Sequence, residues 1–265
     1  MFIASSSFTA APDVHRRVRW AFTDALGDAD EVALPSTGRD GTAGAVVDTA
    51  YGAFNLGAHV GDDPSAVAAN RERLLEAFGV RQIVYMNQVH GSDVAVVGGP
   101  WPGAPEPVDG LVTANPGVAL AVMVADCVPV LLADPEAGVV GAAHAGRKGM
   151  TAGVVTATVE RMRQLGAGSI QAAIGPSICG RCYEVPGAMR DEAAGVRPVS
   201  ASVTWHGTPG IDVAAGVADE LAAAGVEITW VPGCTLENEA LYSYRRNPRT
   251  GRFAGVVVFE SEVTA

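Results

Sequence analysis

Apolar residues recur along the chain with two periods. In "GDDPSAVAANRERLLEAFGV", Val67, Leu74, Leu75 and Phe78 fall on one face at helical spacing. Asp63 is placed to cap that helix, Pro64 suits its first turn, and Gly79 stops it. "GMTAGVVTATVERMRQLG" predicts a second helix, "IDVAAGVADELAAAG" contains a third, and a short one is expected within "LENEALYSYRR". The remaining apolar runs are short and bounded by Gly, Pro or Asp, which reads as strand. They are "RQIVYMNQVHG", ending at His90, then "DVAVVG", "LVTA", "VALAVMVAD", "VPVLLAD", "VVGAAHA", "IQAAIG", "EITWV" and "GVVVF". "DPEAG" joins "VPVLLAD" to "VVGAAHA" as a hairpin turn.

Residues 30–53 read as loop, "GGPWPGAPEP" as a Pro/Gly flap, and residues 1–14 as a ragged start. There is no internal repeat and no clear linker. Strands and helices without regular βαβ alternation predict a single α/β domain over residues 1–265, with substantial antiparallel pairing.

Composition narrows the function. With 265 residues, 48% hydrophobic and 18% charged, the chain can bury a substantial core. A formal charge of −11 argues against a nucleic-acid or anionic-membrane surface, which needs clustered Lys and Arg, and favours a small ligand in a pocket. No apolar run approaches the ~20 residues of a membrane span, and the N-terminal stretch lacks a signal-peptide pattern. Four cysteines are too sparse for a disulfide framework, which favours the cytoplasm and free thiols.

Three of the residues that carry chemistry stand at strand ends beside small neighbours: His90, Cys127 and His144. Two imidazoles and a thiolate suit Zn²⁺ and leave a fourth position open. Copper accepts the same donors, with Met86 and Met123 nearby in sequence as axial candidates. The alternative is structural, a small buried thiol and half-exposed imidazoles. Asp126 either orients a ligating histidine or caps a turn. A rival cluster is "CGRC", Cys179 and Cys182, with Cys234 in "PGCT". It reads as a structural cysteine-rich loop, against a structural zinc site or a redox pair. "IGPSICG" lacks the Lys-Ser/Thr ending of a P-loop. His59 and His206 read as turn or surface residues, and His15 as solvated.

Taken together, "NLGAHVGDDPSAVAANRERL", "QVHGSDV", "ADCVPVLLADP", "VVGAAHAGRKGMTAGVV", "IGPSICGRCYEV" and "SYRRNPRTGRFAGVV" resemble the laccase-domain, or YfiH-type, family from about residue 51 to 259. The resemblance implies a layered sandwich of mixed β-sheets flanked by helices. It implies a zinc-dependent purine nucleoside phosphorylase acting on adenosine, inosine and methylthioadenosine with phosphate, and adenosine deamination as a second activity. The family's metal triad maps onto His90, Cys127 and His144, which demotes "CGRC" to a loop bordering the pocket. The substrate-facing arginine of the family falls on Arg39 in "STGRDG", and Asn55 and Gln88 become polar contacts to ribose or base. One departure stands out. Where the family has Trp-Arg-Gly after "AHAG", this chain has Arg147-Lys148-Gly149, so a cation replaces a ring and favours an anionic substrate.

Three other readings stand beside the phosphorylase. A copper polyphenol oxidase is disfavoured, because one His₂Cys site cannot store the electrons that reduction of O₂ to water takes. A cell-wall precursor amidase would use Cys127 as nucleophile with a histidine as base. A metal-binding partner protein without catalysis is the non-enzymatic reading.

Overall fold

The computed structural model describes residues 1–8, 16–27 and 50–261. Two mixed sheets form its centre. The first joins β1 (Phe2–Phe8), β2 (Arg16–Thr23), β13 (Phe253–Ser261), β6 (Val118–Val124) and β3 (Gln82–Tyr85), in that order. The second runs β12 (Glu227–Trp230), β9 (Gln171–Ile174), β7 (Val128–Asp134), β8 (Val139–Ala145), β5 (Gly110–Thr113) and β4 (Val94–Val96). Only the β3–β6, β4–β5 and β9–β12 pairs are parallel within these sheets. A small hairpin pairs β10 (Ala201–Val203) with β11 (Pro209–Ile211).

Alternation along the strands sets the layers. Leu120, Val122 and Val257 of the first sheet meet Leu111, Leu131 and Val140 of the second in one core between the sheets. Their neighbours Ala119, Ala121, Val256 and Val258 face the other way and pack on Leu74 and Phe78 of α1 (Pro64–Phe78). On the far face, Val130 and Leu132 pack on Val155, Val159 and Met162 of α3 (Val154–Gln164) and on Val217 and Leu221 of α5 (Val213–Ala223). The result is the layered sandwich of mixed sheets flanked by helices. Burial on both faces explains why β6, β7 and β8 read as unbroken apolar runs.

The cap expected at α1 is present. The Ser65 amide donates to Asp63, Pro64 opens the helix, and Gly79 closes it with φ 64°. Elsewhere the chain departs from the expected elements. The N-terminus is not ragged over its first residues, because Phe2–Phe8 pairs along β2 as an edge strand. The second helix is two, α2 (Arg147–Ala152) and α3, since Gly153 at φ 80° breaks the helix between them. No helix forms within "LENEALYSYRR". Turns run there instead, with Arg246 donating to the carbonyls of Thr235 and Leu241. The helix α4 (Gly187–Val196) and the β10–β11 hairpin lie in a stretch where exposed residues dilute the apolar signal. No helix among the described residues is long and apolar enough to cross a membrane.

Candidate metal centre

The β7–β8 hairpin delivers two of the three expected residues. Its register sets Val128 opposite Ala145 and Pro129 opposite His144, so Cys127, just before β7, emerges beside the buried His144. Asp126 makes the turn out of β6 with φ 100°, a backbone state that Asp tolerates better than most residues.

His90 arrives differently from the expected strand end. The strand β3 stops at Tyr85, and His90 sits in a turn with φ 63°. That turn is gathered by one carboxylate. Asp109 accepts the amides of Val89 (3.1 Å) and Gly91 (2.6 Å) on Oδ2 and of His90 (3.0 Å) on Oδ1. The same Oδ1 lies 2.7 Å from His144 Nδ1. Asp109 is thus the residue that orients both histidines, a task the sequence reading offered to Asp126. Asp126 instead accepts from Thr235 Oγ1 (2.6 Å) and the Arg245 amide (2.8 Å), tying down two loops. Nothing in "PVDGLV" itself marks Asp109, whose burial ahead of the wholly buried β5 appears only in the fold.

The donor atoms of His90, Cys127 and His144 lie within 4.8 Å of one another. The Cys127 sulfur is 3.7 Å from His90 Nε2, and the two imidazoles meet edge to face with centroids 4.8 Å apart. With Nδ1 committed to Asp109, His144 keeps Nε2 as its remaining ligand atom. Burial pushes the Cys127 thiol up, but the His144 charge and hydrogen bonds from both imidazoles outweigh it and bring the thiol down to about 6. Burial opposes a charged His144, yet the Cys127 thiolate and Asp109 raise it to about 9. The cluster holds a thiolate–imidazolium pair between those limits. Gly146 closes the arrangement, since a Cβ there would stand 2.7 Å from His90 Cδ2 and 3.0 Å from Cys127 Sγ.

The cluster borders a cavity of about 360 Å³. Among the described residues three arginines line it, Arg147, Arg245 and Arg252, with Tyr183 and Tyr244. Arg147 opens α2 and reaches Glu192 only at 4.0 Å. Arg245 lies over the Tyr183 ring, 4.6 Å from its centroid. Burial lowers the Arg252 guanidinium, while Cys127 and Asp126 nearby support its charge. Arg245, Arg252 and both tyrosines escaped the sequence reading because they lie in loops with no period. His59 also lines the cavity rather than serving only as a surface turn residue, and burial together with Arg252 and Arg71 lowers its pKa.

Two expected substrate contacts are hydrogen-bonded within the protein. Asn55 is fully buried, and its amide is consumed within the protein. Its Oδ1 accepts the amides of Gly57 (2.9 Å) and Arg252 (2.8 Å), and its Nδ2 donates to Asp62 (2.9 Å) and the Gly57 carbonyl (3.3 Å). It positions Arg252 rather than lining the cavity. Gln88 does line it, yet its amide pairs both ways with the Met123 backbone, at 2.7 and 2.9 Å, prolonging the β3–β6 pairing. Of the copper candidates, Met86 packs in the core between the sheets and Met123 lines the cavity. Arg39 and His15 lie outside the described residues.

Fold and site define a layered α/β protein with a His₂Cys cluster opening on an arginine-lined cavity. The model of the multi-copper polyphenol oxidoreductase laccase family matches residues 36–260, and the chain belongs to that family. Purine nucleoside phosphorylase ORF3 of Streptomyces griseus is 57% identical over 221 residues, covering 81% of this chain and 90% of that protein. Purine nucleoside phosphorylase YfiH of Escherichia coli is 40% identical over 212 residues, covering 78% and 86%. Among solved structures, Neisseria meningitidis protein NMB0706 superposes with a TM-score of 0.75 at 30% identity, covering 97% of this chain and 99% of its own. YlmD from Geobacillus stearothermophilus gives 0.73 at 30% identity, covering 95% and 94%.

Proposed function

We propose that this chain is a zinc-dependent purine nucleoside phosphorylase, acting on adenosine, inosine or methylthioadenosine. The observation that carries the reading is the joining of the His90, Cys127 and His144 donors to three cavity arginines. Relatives named purine nucleoside phosphorylase support it. The residues fit a metal. The donor set is that of an open zinc site, one imidazole has its tautomer fixed by Asp109, and Gly146 leaves a space that a Cβ would fill. When bound, Zn²⁺ supplies Lewis acidity to the cavity.

The protein's own groups account for the rest. Arg147, Arg245 and Arg252 bring guanidinium charge suited to orthophosphate to the cavity, with Nη1 of Arg245 and of Arg252 anchored on backbone carbonyls. Tyr183 and Tyr244 offer rings for a purine. In phosphorolysis a phosphate oxygen bonds to the ribose C1′ while the bond from C1′ to the base nitrogen breaks. The electron pair leaves with the base, which takes up a proton, and ribose 1-phosphate departs. Four free cysteines fit a reducing compartment such as the cytoplasm.

The test is nucleoside cleavage by metal-loaded protein with and without phosphate. Free base and ribose 1-phosphate, formed only with phosphate, are expected. Ammonia released without phosphate would leave adenosine deamination as the activity. No turnover would overturn the reading.

A second reading has a specific observation behind it. Cys127, His144 and Asp109 are also linked in the order nucleophile, base and orienting carboxylate. This is the arrangement that a cysteine amidase would need.

A further inference from the structure

We propose that Cys179, Cys182 and Cys234, with the Glu237 carboxylate, form a second metal site that takes Zn²⁺ and fixes one wall of the cavity. One ligand atom from each of these residues lies within 4.8 Å of the other three. With zinc–sulfur bonds of about 2.3 Å, tetrahedral ligands sit roughly 3.8 Å apart, so modest side-chain rotation closes the set. Three sulfurs and one oxygen suit Zn²⁺ better than the hard cations, which prefer oxygen alone.

The backbone already turns the sulfurs toward one another. The amides of Cys182 and Tyr183 both donate to the Cys179 carbonyl, at 2.9 and 3.0 Å, folding the "CGRC" turn tightly. The Arg181 amide points at the Cys179 sulfur, and the Cys179 amide donates to the Cys234 sulfur at 3.5 Å. Such donors stabilise sulfur that carries charge. Cys234 is brought in by its bridge to Ser177, and the turn that follows, with the Glu237 amide on the Cys234 carbonyl, returns Glu237 to the cluster. Glu237 Oε1 accepts from Cys182 Sγ and from Trp205 Nε1, each at 3.3 Å. All three cysteines are free. A disulfide would use only two of them and would give Glu237 no part.

The position gives the site a task. Ile178 and Tyr183, which flank "CGRC", line the cavity. Thr235, next to Cys234, donates to Asp126 beside Cys127. A metal here ties together the segments that shape the cavity without touching the first cluster, and it does not depend on the proposed reaction.

The test uses full-length protein kept in reductant, with metal counted per chain and Co²⁺ as a spectroscopic probe of sulfur ligation. Wild type is expected to hold two metals per chain, and a protein without metal, or with a single metal that Cys127→Ala abolishes, would overturn the proposal. Cys127→Ala should still bind Co²⁺ with a strong sulfur-to-cobalt absorption, and its loss would also overturn the proposal. Adding Cys182→Ser should remove about a third of that absorption and weaken cobalt binding by roughly tenfold or more. Unchanged affinity in Glu237→Gln would remove the carboxylate from the ligand set. A Cys179–Cys182 disulfide found by mass spectrometry in protein never exposed to oxidant would replace the metal site with a redox pair.

Discussion

Oδ1 of Asp109 lies 2.7 Å from Nδ1 of His144, with both side chains buried, and the same carboxylate gathers the three amides around His90. One residue thus fixes the tautomer of one candidate ligand and the backbone of the other. Asp109→Asn should keep the fold and lower metal affinity by about 10–100-fold, as loss of an orienting partner typically does. It should also lower the pH above which metal binding stops improving, because Asp109 helps to raise His144. Competition with a chelator across pH reads both effects. A purely structural role would move only the melting temperature.

Metal uptake by the wild-type protein should depend on pH in one direction. His144 is raised to about 9, so below that pH its imidazole holds a proton that a metal must displace. Cys127, brought down to about 6, is already a thiolate above that value. Between about pH 7 and 9 this pair releases one proton per metal bound, so apparent affinity should climb ~tenfold per pH unit and level off above about 9. A flat profile over that window, measured by metal-competition titration, would show that His144 is neutral in the metal-free protein.

Much of this was legible in the sequence, and the rest was hidden for physical reasons. β6, β7 and β8 were clear because both faces are buried, and α1 because Asp63, Pro64 and Gly79 mark its ends. The edge strand β1 was missed, since its residues are mostly exposed and carry little apolar signal. Strand-end placement brought out His90, Cys127 and His144, although His90 proved to be held by a turn. Asp109, Arg245 and Arg252 could not be found that way. Their place in the site comes from tertiary contacts across long sequence separations, such as Asp109 to His144 and Arg252 to Asn55.

Gly146→Ala tests the space beside the cluster. Its Cβ would press on His90 Cδ2 at 2.7 Å and on Cys127 Sγ at 3.0 Å. Gly146 has φ −78°, which alanine adopts without strain, so the backbone should be unaffected. The expected outcome is loss of metal from the first cluster with an unchanged circular dichroism spectrum. Full metal content would mean that His90 swings aside without leaving the ligand set.

Arg147 stands where the family resemblance places tryptophan, and it lines the cavity at the start of α2. Arg147→Trp should favour unmodified nucleosides by offering a ring to the base. Stacking of a base on an aromatic is worth about 1–3 kcal/mol, so KM for inosine should fall by roughly fivefold or more. KM for phosphate should rise if the guanidinium contributes to anion binding. If neither constant moves, residue 147 forms part of the wall without touching substrate.

The choice between ligand and nucleophile at Cys127 cannot be made by deleting it, because both roles need a thiolate. The wild-type response to chelation separates them. If Cys127 is a ligand, chelation abolishes turnover and Zn²⁺ restores it. Its sulfur should then resist iodoacetamide until the metal is stripped, since its lone pairs are engaged. Stripping should expose a thiol brought down to about 6 by His144 and His90, so at neutral pH alkylation should be fast once the metal is gone. If Cys127 is instead the nucleophile served by His144 and Asp109, chelation leaves turnover intact and alkylation destroys it at the same rate with or without metal. Ligation is the expected result, because the donor atoms of His90, Cys127 and His144 lie within 4.8 Å of one another, and a nucleophilic thiolate would need only one of the two imidazoles. Full activity in chelator, with rapid inactivation by iodoacetamide, would refute it.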